Sequence, residues 1–126
     1  MSGAPAVLVV DDDRNVRDLI CAALAGRGYC TAAACNGREA LSYLRSSPAR
    51  PRLILLDLMM PEMTGWEFRK AQQEDPALCA IPVAIITGLA VPEGQAEALG
   101  AVDVLGKPSR IEPLTELVSR FCGEPV

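Results

Sequence analysis

Residues 53–67 read Leu-Ile-Leu-Leu-Asp-Leu-Met-Met-Pro-Glu-Met-Thr-Gly-Trp-Glu. Leu53 to Leu56 form an unbroken apolar run with no polar alternation, the pattern of a strand covered on both faces in a parallel sheet. An aspartate, Asp57, closes the run. A loop carrying Pro61 follows, and Thr64 with Glu67 three residues later spells a capping box that opens a helix reaching about Glu74. Strand, acidic end, loop and helix make one βα unit.

The same order repeats outward from this stretch. Ala6–Val10 is a second continuous apolar run, closed by Asp11, Asp12 and Asp13. Val16, Leu19, Ile20, Ala23 and Leu24 then recur at helical spacing, with Gly26 and Gly28 as stops. Tyr29–Ala34 is an alanine-rich strand candidate. Asn36, with Glu39 three residues on, caps a helix whose apolar stripe is Ala40, Leu41 and Leu44, ended by Pro48 and Pro51. On the other side, Ile81–Thr87 is a third apolar strand that tolerates Pro82 because it lies at its start. Pro92 and Glu93 start a short helix stopped by Gly100. Val102–Leu105 is a short strand, and Ser109 with Glu112 caps a last helix reaching about Cys122. Alternating strands and helices imply right-handed crossovers and a doubly wound parallel sheet with helices on both faces. We expect one domain over residues 1–126, with residues 1–5 as a flexible N-terminus.

Composition narrows what such a domain does. The chain has 126 residues, half of them apolar, a formal net charge of −4 and a pI near 4.8. That balance argues against a nucleic-acid partner recognised through bulk positive charge. No apolar run is long enough to cross a bilayer, and the N-terminus lacks the form of a signal peptide, so a cytoplasmic location is expected. The absence of histidine removes Ser-His and Cys-His catalysis and a phosphohistidine carrier role. Five cysteines without a C-x-x-C pair read as reduced, buried thiols.

Ligands of an open α/β sheet sit beyond the carboxyl ends of its strands. The residues there are Asp11, Asp12 and Asp13, then Asp57, Thr87 and, after a short gap, Lys107. Asp13 alone is explained as an N-cap. Asp11, Asp12 and Asp57 together are not, because carboxylates gathered at one edge repel one another unless a cation joins them. Magnesium, with its preference for a few carboxylates and several waters, is the natural partner. Carboxylates, a hydroxyl and an ammonium suit phosphoryl transfer, and a carboxylate can itself be the nucleophile. Asp57 is the best candidate, since a loop rather than a helix follows it. With no Walker-type glycine loop, a nucleoside triphosphate is not the obvious donor.

VLVVDDD, LILLDLMMPEMTGWE, VAIITG and GKP, in this order from Val7 to about Phe121, resemble the receiver domain of bacterial two-component response regulators. The resemblance implies a flavodoxin-like five-stranded sheet of order 2-1-3-4-5. It implies Asp57 as phosphoacceptor, and Asp11 and Asp12 as the magnesium-holding pair, with the Met59 carbonyl as a further ligand. Thr87 matches the hydroxyl that bonds a phosphoryl oxygen, and Lys107, before a usually cis Pro108, the ammonium that pairs with the phosphoryl group. Gly65 matches the glycine that lets the loop turn into its helix, and Gly88 a small residue that leaves phosphate an open approach. Implied partners are a histidine kinase or phosphotransfer protein and a downstream protein target, with the chain a monomer or a phosphorylation-dependent dimer. The implied role is signalling rather than enzymatic, limited to the chain's own phosphorylation and dephosphorylation.

The departures from the family pattern are specific. Val104 stands where an aromatic switch residue is usual, and Ser109 where a bulky apolar residue follows the proline. Met59 and Leu89 occupy two positions flanking the phosphoryl group where polar side chains often help hydrolysis, which leads us to expect a slowly decaying phosphoryl form. Two alternatives stay open. A haloacid-dehalogenase-like phosphatase would use Asp11 in Asp11-Asp12-Asp13, although Asn15, the short chain and an idle Asp57 count against it. A receiver-like interaction module without phosphorylation would follow from the missing aromatic. We expect either a stand-alone receiver or one cut from a longer chain.

Overall fold

A computed structural model describes residues 5–46, 50–60, 62–88, 94–106 and 111–123. The elements alternate as the sequence requires. They are β1 (Val7–Val10), α1 (Arg14–Gly26), β2 (Thr31–Ala34), α2 (Gly37–Ser46), β3 (Leu53–Leu56), α3 (Gly65–Gln73), β4 (Val83–Thr87), α4 (Gln95–Leu99), β5 (Asp103–Gly106) and α5 (Ile111–Cys122). The strands form one sheet in the order β2-β1-β3-β4-β5, all neighbours parallel. This is the doubly wound, flavodoxin-like order the resemblance implied.

Successive strand side chains point to opposite faces, and the two cores divide accordingly. Leu8, Val10, Ile54, Leu56, Val83 and Ile85 face Ala40, Leu41, Leu44, Phe68 and Leu99, so α2, α3 and α4 cover one side. Val7, Val9, Leu53, Leu55, Ala84 and Ile86 face Ile20, Leu24, Leu114, Leu117 and Val118, so α1 and α5 cover the other. Every residue of β1, β3 and β4 is buried, which is why those strands read as unbroken apolar runs. The edge strands differ. β2 is Thr-Ala-Ala-Ala with only Ala34 buried, and β5 is half-buried to exposed.

The helix starts follow local chemistry. Asp13 caps α1, its side chain accepting from the amides of Asn15 and Val16. Thr64 and Glu67 form the complete reciprocal capping box at α3. At α2 the Asn36 side chain accepts from the Glu39 amide at 2.8 Å. The Glu39 carboxylate, however, reaches back one residue further, to the Cys35 amide at 2.9 Å. The capping box expected at Ser109 lies outside the described residues, as do Pro92 and Glu93 before α4. α4 ends at Gly100, whose φ of +67° is a left-handed stop that favours glycine.

One expectation is corrected. The five cysteines are free, but none is buried. Cys30 and Cys79 are exposed, and Cys21, Cys35 and Cys122 are half-buried. Cys30 and Cys79 fall in connections before β2 and β4 rather than on inward faces, whereas Cys21 and Cys122 pack against the margin of the core. Trp66 and Phe68 divide as aromatics at this spacing often do, Phe68 fully buried and Trp66 packed at the core's margin.

Candidate phosphoacceptor site at the carboxyl edge

Parallel pairing brings the ends of β1 and β3 side by side, with Val10 in register with Leu56. The residues that follow are therefore neighbours. The Asp57 amide donates to the Val10 carbonyl at 2.9 Å, and the Asp11 amide donates to the Ala34 carbonyl at 3.1 Å. Asp11 and Asp57 are buried and Asp12 is exposed. One carboxylate oxygen from each of Asp11, Asp12 and Asp57 lies within 4.8 Å of the others. The structure thus gathers the three aspartates the sequence singled out and turns Asp13 away as a helix cap.

Backbone contacts fix how these carboxylates sit. Asp11 Oδ1 accepts from the Asp13 amide at 2.9 Å, a local turn that aims its side chain across the edge. Asp57 Oδ1 accepts from the Met59 amide at 3.3 Å. Behind the corner, Arg17 on α1 donates to the Asp11 carbonyl at 2.7 Å. Three carboxylates this close hold one another's charge at a cost. An oxygen-only donor set of that kind fits a hard divalent cation such as magnesium.

Thr87 ends β4, buried, and is in register with Gly106 of β5. Lys107 and Pro108 follow Gly106 directly and lie outside the described residues, as does Leu89. Met59 is placed two residues beyond Asp57 with its side chain just over half exposed. Gly65 is required here for a reason other than the expected turn. Its backbone is helical, but a Cβ there would stand 2.6 Å from the Asp57 carbonyl oxygen and 2.7 Å from Leu58 Cα. Its amide donates to the Leu58 carbonyl at 2.9 Å, so α3 begins pressed against the backbone of the acidic strand end.

Sequence reasoning missed two contributors. Arg17 carries a signal only in hindsight, as a cation one turn into the helix that follows an acidic corner. Glu62 carries none. It holds a φ of +66°, rare for a residue with a Cβ, and its carboxylate accepts from Asn36 Nδ2 at 3.3 Å, tying the loop after Asp57 to the start of α2.

Comparison with known proteins agrees with this architecture. The response regulator receiver domain family matches over residues 7–119. The rice two-component response regulator ORR11 (Oryza sativa subsp. indica) is 38% identical over 118 residues, covering 92% of this chain and 80% of its own. The polar-differentiation response regulator DivK of Brucella anthropi is 31% identical over 122 residues, covering 94% and 97%. Among solved structures, the chemotaxis protein CheY4 of Vibrio cholerae superposes with a TM-score of 0.83 at 33% identity, over 94% of this chain and 98% of that one. The family is a signalling one rather than a classical enzyme family. A family match across nearly the whole chain, on a 2-1-3-4-5 sheet with an acidic cluster at its carboxyl edge, shows that the chain belongs to the response regulator receiver domain family.

Proposed function

We propose that this domain takes a phosphoryl group on Asp57 in a magnesium-dependent transfer from a phosphohistidine donor, and that the phosphoryl form alters its contacts with a downstream protein. The observation that carries the proposal is the cluster of Asp11, Asp12 and Asp57, whose oxygens lie within 4.8 Å of one another. Receiver domains generally bind magnesium through an acidic pocket and interact with histidine kinases and downstream targets.

In this reading a carboxylate oxygen of Asp57 attacks the donor phosphorus. The new O–P bond makes an acyl phosphate, and the N–P bond of phosphohistidine, or the O–P bond of acetyl phosphate, breaks with its electron pair leaving on the donor. Asp11, Asp12 and Asp57 would hold the magnesium, with the Met59 carbonyl as a further ligand, and the cation would supply charge neutralisation at the phosphoryl oxygens. Asp57 is the nucleophile in this reading because a loop rather than a helix follows it, with its backbone held by Val10 and its side chain by the Met59 amide. Thr87, held at the end of a buried strand, donates its hydroxyl to a phosphoryl oxygen, and Lys107 supplies the opposing positive charge.

The test is an intact-mass measurement after incubation with acetyl phosphate and magnesium. One added phosphoryl group is expected, absent when magnesium is chelated and absent in Asp57→Asn. No adduct with acetyl phosphate, together with no binding of beryllofluoride, would overturn the reading in favour of an interaction module without phosphorylation.

A further inference from the structure

α3 carries a buried cation that the phosphoryl chemistry does not use. Arg69 and Gln72 are both buried. Arg69 Nε donates to the Leu99 carbonyl at 2.6 Å, and a terminal nitrogen donates to the Gly100 carbonyl at 3.3 Å. The other terminal nitrogen donates to Gln72 Oε1 at 2.6 Å. Gln72 in turn donates from Nε2 to the carbonyls of Leu78 at 2.9 Å and Ile81 at 3.0 Å. Gln73 adds a longer bond to the Leu99 carbonyl at 3.4 Å. A Cβ on Gly100 would lie 3.1 Å from the guanidinium, which would then have to shift by a few tenths of an ångström.

Leu99 and Gly100 are the end of α4, where carbonyls have no partner within the helix and the helix dipole is negative. The planar fork of arginine meets two of them at once and passes a third bond to Gln72. Among the described residues the ion pairs are Arg14–Asp18 and Arg45–Asp75, so Arg69 is balanced by carbonyls rather than by a carboxylate. Burial pulls its pKa below the ordinary arginine value. An apolar residue at position 69 would leave the buried Gln72 Oε1 and the Leu99 carbonyl without this donor, at a cost. What the polar pair adds is one fixed position for the end of α4 relative to α3.

That position lies on the path from the site. α3 begins at Gly65 against the Asp57 backbone, Arg69 follows one turn later, and Gln72 about 10 Å along the axis from Gly65. Beyond Gly100 the chain enters β5 within a few residues, the Val102 amide already bonded to the Val83 carbonyl at 2.8 Å. β5 carries Val104, where an aromatic switch residue was expected, and a half-buried valine there offers no large ring to swing.

We propose that Arg69 with Gln72 is a coupling strut, by which a change at the Asp57 loop reaches the α4–β5 face through α3. The proposal rests on the receiver reading given above. In this proposal the responding element is the α4 end, whose carbonyls the guanidinium fork holds.

Amide NMR shifts and hydrogen exchange of the wild type, Arg69→Leu and Arg69→Lys, each with and without magnesium and beryllofluoride, test it. In the wild type the ligand is expected to shift amides of both the Asp57–Gly65 segment and the Ala98–Val104 segment. In Arg69→Leu the first set should persist while the second falls at least twofold. Without ligand, exchange at Gly100 and Val102 should rise at least tenfold more than at β1 and β3. Arg69→Lys keeps the charge but not the fork, and its response should fall between the two. It carries the comparison if Arg69→Leu does not fold. A full α4–β5 response in either variant, or a uniform rise in exchange, overturns the coupling and leaves the site reading intact. A wild type that shifts nowhere overturns the site reading itself, and the coupling with it.

Discussion

At Gly65 one methyl group decides whether the loop after Asp57 can close. A Cβ would press on the Asp57 carbonyl at 2.6 Å, against backbone that cannot rotate aside. Gly65→Ala is therefore expected to lose about 1–3 kcal/mol in denaturant unfolding and to lower the yield of phosphoryl adduct. Unchanged stability would mean the loop has slack that the geometry denies. Cys35 makes a second residue-level prediction. Its thiol donates to Glu39 Oε2 at 3.4 Å, and that carboxylate, followed by burial, pushes the thiol above the ordinary cysteine value. A raised pKa means less thiolate at a given pH, so Glu39→Gln should speed alkylation of Cys35 near pH 8. Peptide-resolved labelling reads this directly, and equal rates would remove the assigned cause. Labelling of exposed Cys30 and Cys79 should not change.

The elements differ in how far their own sequence specifies them. β1, β3 and β4 are covered on both faces, so their apolar runs and acidic or hydroxyl ends were plain in the chain. α3 was as plain, because Thr64 and Glu67 satisfy each other's backbone partners without help from the rest of the fold. Thr64→Ala is expected to cost about 1 kcal/mol, read as a lowered midpoint in thermal or denaturant unfolding, with Glu67→Ala costing less. A loss shared by neither variant would mean tertiary contacts hold α3 unaided. Edge strand β2 read faintly, since alanines on an exposed edge have little to bury. The Arg69–Gln72 pair was illegible for a related reason. Polar residues at helical spacing look like a solvated face, and only the fold shows that the α4 end meets Arg69 and the connection before β4 meets Gln72.

For the whole molecule, strand order converts separate sequence signals into one site. Asp11 and Asp57 stand 46 positions apart in the chain, yet β1 and β3 are hydrogen-bonded neighbours, so their ends meet. The acidic edge could thus be read from the chain once a parallel sheet was inferred. Arg17 and Glu62 could not, because their contacts depend on loop paths that no periodicity encodes. The exposed, apolar Met59 beside this edge predicts a long-lived phosphoryl form. Met59→Asn should shorten its half-life several-fold in a phosphoryl-decay assay, and an unchanged half-life would show that Met59 does not govern access of water. In the proposed chemistry Asp57, rather than Asp11 or Asp12, is the nucleophile. Borohydride reduction of the acyl phosphate formed with acetyl phosphate and magnesium, followed by peptide mass mapping, locates the bond. A reduced, homoserine-type product is expected at position 57 alone, lost on chelation of magnesium, whereas the product at position 11 or 12 would rule out Asp57 as the acceptor.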